Sequence, residues 1–394
     1  MTTTTDVRRS GPELVESMAE VVLADAAVAE QARTMTPAIV EAMWQTGLMQ
    51  HLNPVACGGT EPSFREMIET WIAMARLDGS FGWIGIANLP SSATIGAYLP
   101  DAGFDEVFGG PDAHVTMGGQ FFPNGTGISV DGGFRLTGSW NFGSGTGHSQ
   151  YVAAGFMPMV DGDLVWVAEG IPEIRVAVLP RDEVTFTDGW HVQGLKGTGS
   201  YDYEVEDVFV PSTRTFGLFD HVPHRGSSAA FHLGLIPITA AGHASWALGV
   251  AGSMLDDVRE LAETKTRMGE FTSLANKPSF QRGLAHHTAM WRAARLLVLD
   301  TFTEIEESVD AGHELTPMQR ADLRVSAVYA TDCSRAIAEW AHLAAGTTAI
   351  REGSRLERAF RDIYTGTQHA FISEKVAIDS AQVWLGIQPN PIGL

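Results

Sequence analysis

Three patterns follow one another along this chain, and few folds accept them in that order. From about Gly11 to Gly110 the apolar residues recur at helical spacing. Ile39, Val40, Met43 and Trp44 form one stripe closed by Gly47-Leu48, and Met67, Ile68, Trp71, Ile72 and Ala75 form the next, ending near Asp78-Gly79. Trp83 to Ala97 reads as a helix interrupted at Pro90. From about Ala113 to Pro211 short β-prone runs alternate with glycine turns: Val115 to Gly118, Gly127 to Val130, Phe134 to Phe142, Tyr151 to Phe156, Leu164 to Val167, Ile174 to Leu179 and Tyr203 to Val210. Asp131-Gly-Gly133 is a hairpin signal. Residues 219–235 read as an irregular loop. Long helical stripes then return, one through Trp291, Ala294, Val298, Phe302, Ile305 and Val309, another through Leu323, Ala327, Ala330, Ile337 and Trp340. The tail from Trp384 to Leu394 reads as extended. A helical unit, a β unit and a helical bundle make an α+β chain that is mostly α.

Within the β unit, Gly138-Ser-Trp-Asn-Phe-Gly-Ser-Gly145, with His148 just beyond, reads as a strand running into a glycine-rich corner. Trp140 and Phe142 alternate as strand residues do, and Ser144 places a hydroxyl between glycines. An aromatic wall, an open backbone and a hydroxyl suit a planar heterocycle; a plain structural hairpin reads equally well from these residues alone.

A second glycine loop, Gly194-Leu-Lys-Gly-Thr-Gly-Ser-Tyr-Asp202, feeds a strand ending at Pro211. Thr198 and Ser200 can hold a phosphate or carbonyl there, but the context is not that of a P-loop. No strand–GxGxxG–helix unit exists, so a nicotinamide-binding half is not expected. Arg358-Ala-Phe-Arg-Asp362, followed by Gln368-His369, reads first as an ion-paired face with a structural histidine. His286 and His287 are adjacent and point apart on a helix, which gives poor metal geometry, so no metal site is expected.

The net charge of -21 argues against nucleic acid or an anionic membrane as the main partner. Cys57 and Cys333 show no paired spacing, and Met1 to Asp6 has no apolar signal core, so a reducing cytoplasm is the expected location.

Together these stretches resemble the acyl-CoA dehydrogenase fold, and within it the flavin-dependent hydroxylases of two-component systems. The resemblance covers nearly the whole chain, and its specific parts are Gly138 to His148, Gly194 to Pro211 and Arg358 to His369. It implies an N-terminal helical domain (1–112), a central β-domain (113–218) and a C-terminal four-helix bundle (219–394), assembled as a homo-oligomer, a tetramer or a dimer. It implies reduced flavin (FADH2 or FMNH2) between β-domain and bundle, O2 as co-substrate, a separate NAD(P)H:flavin reductase, and an aromatic small-molecule substrate oxygenated through a flavin C4a-hydroperoxide. Carried over, His369 and Ser144 take catalytic roles, with Ser144 near flavin N5. Trp140, Phe142, Ser144, Gly145, Lys196, Thr198, Ser200 and Arg267 bind the cofactor, Arg267 from a neighbouring subunit. Asn88, Ser91, Ser92 and His369 border the substrate.

Two departures qualify this. Aromatic hydroxylases of this kind often carry another histidine after the Gly-Trp pair; here Gly82-Trp83 is followed by Asn88, Pro90, Ser91 and Ser92. The dehydrogenases carry a catalytic glutamate where this chain has Thr365-Gly-Thr-Gln-His369. An N- or S-oxygenase of the same fold, an acyl-CoA dehydrogenase, and a non-catalytic flavin-binding module remain as alternatives.

Overall fold

The computed structural model describes residues 8–110, 113–391 and 393–394. The polar stretch from Met1 to Asp6 and the junction at Pro111-Asp112 lie outside the described residues. Six helices come first: α1 (Gly11–Glu16), α2 (Ala19–Ala32), α3 (Pro37–Thr46), α4 (Phe64–Leu77), α5 (Gly79–Tyr98) and α6 (Asp101–Phe108). Their ends follow local chemistry. Thr36 Oγ1 accepts the Ile39 N–H at the start of α3, and Gly47 closes that helix at φ +83°. Asp78 caps α5 through Ser80 N–H and Phe81 N–H.

Pro90 does not interrupt α5, which runs unbroken from Gly79 to Tyr98. A proline inside a helix costs about 3 kcal/mol. Here α5 is buried on nearly every side, so packing outweighs one missing backbone hydrogen bond.

Strands occupy Met117 to Gly217: β1 (Met117–Val130), β2 (Gly133–Gly143), β3 (Tyr151–Val160), β4 (Asp163–Leu164), β5 (Trp166–Ala168), β6 (Ile171–Pro172), β7 (Arg175–Pro180), β8 (Thr185–Thr187), β9 (Tyr201–Pro211) and β10 (Thr215–Gly217). The main sheet has the order β10-β7-β3-β1-β2-β9-β8, with β4 beside β3; β5 and β6 pair separately. β1 and β3 are parallel, and the other pairs are antiparallel. The two runs expected at 115–118 and 127–130 are a single strand, because β1 crosses a register shift between Gln120 and Gly125 without losing its partner.

The segment expected to be irregular before the bundle contains α7 (Ala229–Leu233), followed by α8 (Leu235–Thr264), α9 (Pro278–Asp310), α10 (Pro317–Ala345), α11 (Arg355–Gly366) and α12 (Glu374–Trp384). Ser228 caps α7 and Gly234, at φ +75°, separates it from α8. No described helix is long and apolar enough to cross a membrane.

Among the described residues, three larger apolar clusters organise the molecule. The largest joins the N-terminal helices, one sheet face (Met117, Phe121, Val176, Val178) and the bundle. A second holds the β-domain together around Leu136, Trp140, Phe156 and Tyr203. The third lies in the seam between sheet and bundle, where Trp83, Trp190, Leu195 and Trp246 meet α8, α10 and α11.

Gly145 is a position where little but glycine is tolerated. Its φ is +77°, and a Cβ there would overlap the Asn88 side chain. Gly145→Ala is therefore expected to cost about 2–4 kcal/mol, from backbone strain plus a displaced buried amide. Denaturant unfolding checks this; a loss under about 0.5 kcal/mol would contradict the close approach.

Candidate functional site

The two glycine loops, about 175 Å of chain apart if extended by about 3.3 Å per residue, are locked to each other through their backbones. Gly145 N–H donates to Thr198 O at 3.0 Å, Gly147 N–H to Gly199 O at 3.1 Å, and Thr146 Oγ1 to Gly199 O at 3.2 Å. Asn88 clamps the same corner from α5. Its Nδ2 donates to Met117 O at 2.7 Å and to Ser149 Oγ at 3.2 Å.

Between the loops runs a line of hydroxyls with one possible direction. Thr198 Oγ1 donates to Leu195 O at 2.9 Å, so it must accept from Ser200 Oγ, 2.6 Å away. Ser200 has one proton and has spent it, so Ser144 Oγ donates to Ser200 Oγ at 3.0 Å. Trp83 Nε1–H then donates to Ser144 Oγ at 3.0 Å. Every proton in the line is committed. Ser144 Oγ keeps a single free capacity, that of an acceptor.

Beyond Trp83 lies an aromatic and imidazole cluster. Trp83 stands edge-on to Trp246 with ring centroids 5.0 Å apart, and Trp246 Nε1 is held by Gly79 O at 2.8 Å. Gly366, at the end of α11, lets that helix approach both indoles; a Cβ would overlap them. His369 lies 6.0 Å from Trp83 and 4.3 Å from His243, measured between centroids. His369 Nδ1 accepts the Phe371 N–H at 3.3 Å, which leaves the ring proton on Nε2. Burial, with a smaller push from Arg324, pulls this imidazole down to about 4. At neutral pH it is therefore uncharged, and its Nε2–H is a donor. Of the two tasks open to His369 from sequence, taking a proton or giving a hydrogen bond, this tautomer supports the second. His243 is held well below the ordinary imidazole range by burial first and by His369 next, and its Nδ1–H is spent on Thr239 O at 2.9 Å.

The second loop is fastened to the bundle by ions. Asp362 Oδ1 accepts Leu195 N–H at 2.6 Å, Arg361 donates to Gln193 O at 2.6 Å, and Arg358 pairs with Asp78 at 3.1 Å. Glu30 of α2 gathers Lys196 at 3.6 Å and Arg361 at 2.6 Å. The arginine-rich segment is thus an ion-paired fastening, as its residues alone suggested. Burial, and then the charge of Asp78, raise the Asp362 carboxyl to about 8.

Several expected site residues stand elsewhere. Trp140 is fully buried in the β-domain core, stacked on Tyr203 and donating to Gly155 O, so it is no wall for a ligand. Trp140 and Phe142, two apart, part company because a register shift separates Trp140 from Gly143 and Phe142 sits at φ +62°. Phe142 is 64% exposed, beside Trp190 at 6.3 Å. Asn88 and Ser92 are fully buried fastenings of β1, Ser92 Oγ accepting Met117 N–H at 3.1 Å, and not pocket walls; Ser91 is half-buried. Lys196 is engaged with Glu30. Arg267 lies past the end of α8, roughly 30 Å along that helix from Trp246, exposed and donating to Ala344 O at 3.2 Å; a single chain does not bring it to the seam.

Ser144, Gly145, Thr198, Ser200 and His369 are linked through Trp83, with Phe142 at the exposed edge beside Trp190; Trp83, Gly366 and Asp362 join them from motifs that had assigned them no role, and Trp246, His243 and Arg324 from no motif at all. His243 and Arg324 carry a signal in hindsight, since each is a polar residue within a buried helical stripe. No cluster of His, Cys, Asp and Glu able to hold a metal exists among the described residues.

Residues 241–374 match the family model described as acyl-CoA dehydrogenase, C-terminal domain. The indole-3-acetate monooxygenase of Pseudomonas putida is 30% identical over 370 residues, covering 92% of this chain and 90% of its own. The oxygenase component of p-hydroxyphenylacetate 3-hydroxylase from Acinetobacter baumannii is 25% identical over 97% of this chain and 91% of its own. XiaF from a Streptomyces species, solved in complex with FADH2 and glycerol, superposes with a TM-score of 0.87 at 24% identity, covering 98% of this chain and 97% of that one.

Asp362 generates a pH prediction. Its folded-state pKa is raised, so its contribution to stability is full below the ordinary carboxylate range and is lost as pH rises towards about 8. Asp362→Asn keeps the acceptor for Leu195 N–H and removes the titration. The variant is expected to gain stability relative to wild type as pH rises from about 4 to about 8, measured by denaturant unfolding. Parallel profiles for the two proteins would contradict it.

Proposed function

This chain belongs to the flavin-dependent monooxygenases built on the acyl-CoA dehydrogenase fold, and from that membership we propose that it inserts one atom of O2 into an aromatic or heteroaromatic small molecule, using flavin reduced by a separate reductase. The observation that carries this reading is the directed hydroxyl line that leaves Ser144 an acceptor, linked through Trp83 to a neutral His369.

The residues fit a reduced isoalloxazine by the chemistry of their donors and acceptors. Ser144 Oγ is left as an acceptor, and reduced flavin carries a proton on N5. His369 Nε2–H makes no hydrogen bond within the described chain and is a donor for an oxygen atom. Exposed Phe142, beside Trp190, offers an aromatic edge. When bound, reduced flavin supplies two electrons to O2, so that one oxygen atom enters the substrate and the other leaves as water. The chain's own residues hold, orient and dry the site. Ser144 and the 194–200 loop fix one edge, while Trp83 and Trp246 exclude water from the seam. Because His369 is uncharged, it gives a hydrogen bond without adding a cation.

Dehydrogenation of an acyl thioester needs a free carboxylate to take the α-proton. Asp362 is buried and bound to Leu195 N–H, and Glu357 is paired with Arg361, so neither is free. A relative that is named an oxygenase component supports a separate reductase here. Exposed Arg267 fits the scheme as a group offered to a neighbouring copy in a homo-oligomer.

The test is single turnover. The protein is loaded anaerobically with reduced FAD or FMN, mixed with indole-3-acetate or 4-hydroxyphenylacetate, and exposed to oxygen-18 gas. A product carrying one labelled oxygen is expected; flavin oxidation with hydrogen peroxide as the sole product from every aromatic offered would overturn the reading. Ser144→Ala is expected to lower product per flavin oxidised about ten-fold, the worth of one hydrogen bond, with a matching rise in peroxide. An unchanged ratio would remove Ser144 from the chemistry.

A further inference from the structure

Three arginines are buried, and two of them are paired: Arg214 with Glu106 and Glu183, Arg358 with Asp78 and Glu30. The third, Arg324 on α10, is 4% exposed, and its Nε and Nη1 have no hydrogen-bond partner. It forms no ion pair among the described residues. Asp379, the acid whose field reaches it, is bound to Lys375. Burial pulls this guanidinium down to about 10, so at neutral pH it remains a cation. A buried cation whose contact is a phenyl face and not an anion is strongly destabilising. Proteins retain such a group when something else supplies the missing charge.

Its position says what that something is. The Arg324 guanidinium lies 5.0 Å from the Phe371 ring, and Phe371 is 5.6 Å from His369, which faces Trp83 and, through it, Ser144. From glycine loop inward the order is hydroxyl, indole, imidazole, phenyl, guanidinium. An aromatic ring set among Trp83, His369 and Phe371 would reach the cation with a short acidic arm.

Resting on the proposed monooxygenase reading, we propose that Arg324 is the anchor for the substrate's carboxylate, and that the substrate class is an aromatic acid whose carboxylate stands on a short arm from the ring. A planar guanidinium matches a carboxylate bidentately along an edge that pairs Nη2 with Nε or with Nη1, and both Nε and Nη1 are without a partner here. The two relatives named above act on molecules of this shape, indole-3-acetate and p-hydroxyphenylacetate.

The test reads binding without turnover. Full-length protein carrying dithionite-reduced FAD is titrated under argon with indole-3-acetate and with its neutral isostere indole-3-acetamide. Flavin retention is measured in the same samples. Wild type is expected to bind the acid at least ten-fold more tightly than the amide. Arg324→Met should lose roughly 10–100-fold for the acid, the range of a charged hydrogen bond, while the amide changes less than about three-fold. Arg324→Lys, which keeps the charge, should recover part of the loss and serves if the Met variant does not fold. Equal affinity of wild type for acid and amide overturns the proposal, as does equal loss of both ligands in the variant. Weakened flavin retention with intact selectivity also overturns it, assigning Arg324 to the flavin's anionic edge. If wild type binds neither ligand but retains flavin, the aryl-acid class falls while the flavoenzyme reading stands; if flavin itself fails to bind, the flavoenzyme reading falls.

Discussion

One carbonyl decides the polarity of the whole site. Leu195 O takes the proton of Thr198, and from that single commitment each hydroxyl in the line must donate inward, until Ser144 is left able only to accept. Trp83 closes the other end with a group that can only donate. The fold exists to hold these four side chains, from two sheet loops and one helix, in one row. The backbone bonds between the glycine loops set their spacing, and the Asp362 bond to Leu195 N–H ties the row to the bundle.

The charges around that row are arranged at two levels. Around the 194–200 loop the charges pair off: Glu30 and Asp78 neutralise Arg358 and Arg361, while Asp362, its carboxyl raised to about 8, holds Leu195 N–H. Deeper in the bundle the balance is left open. His243 and His369 are kept neutral, and Arg324 keeps its charge. Paired charges hold position, whereas the open balance at Arg324 is what the proposed substrate carboxylate would complete.

The sequence made the architecture legible because each unit carries its own period, and the glycine loops announced themselves through residues that no other backbone tolerates. It misplaced Trp140 because strand alternation cannot see a bulge: Phe142 at φ +62° turns out of the sheet two residues after the buried indole. It read Asn88 and Ser92 as substrate contacts because a polar residue within an apolar helix looks functional. These two instead meet the unpaired groups of β1, a tertiary fact with no local signature. It broke α5 at Pro90 because propensity is local and burial is not. Arg324 passed unnoticed on an otherwise apolar stripe, although a charge there is the kind of exception that asks for a partner.

With its proton given to Ser200, Ser144 Oγ can meet a ligand only as an acceptor. Reduced flavin presents N5–H to such an atom, whereas oxidised flavin presents a bare N5 that needs a donor. Equilibrium dissociation constants of the same protein for FAD in its two redox states, measured anaerobically by dialysis or fluorescence, test this directly. The account predicts that the reduced form binds at least about ten-fold more tightly, the worth of one hydrogen bond gained against one unmade. Equal or tighter binding of the oxidised form would contradict it.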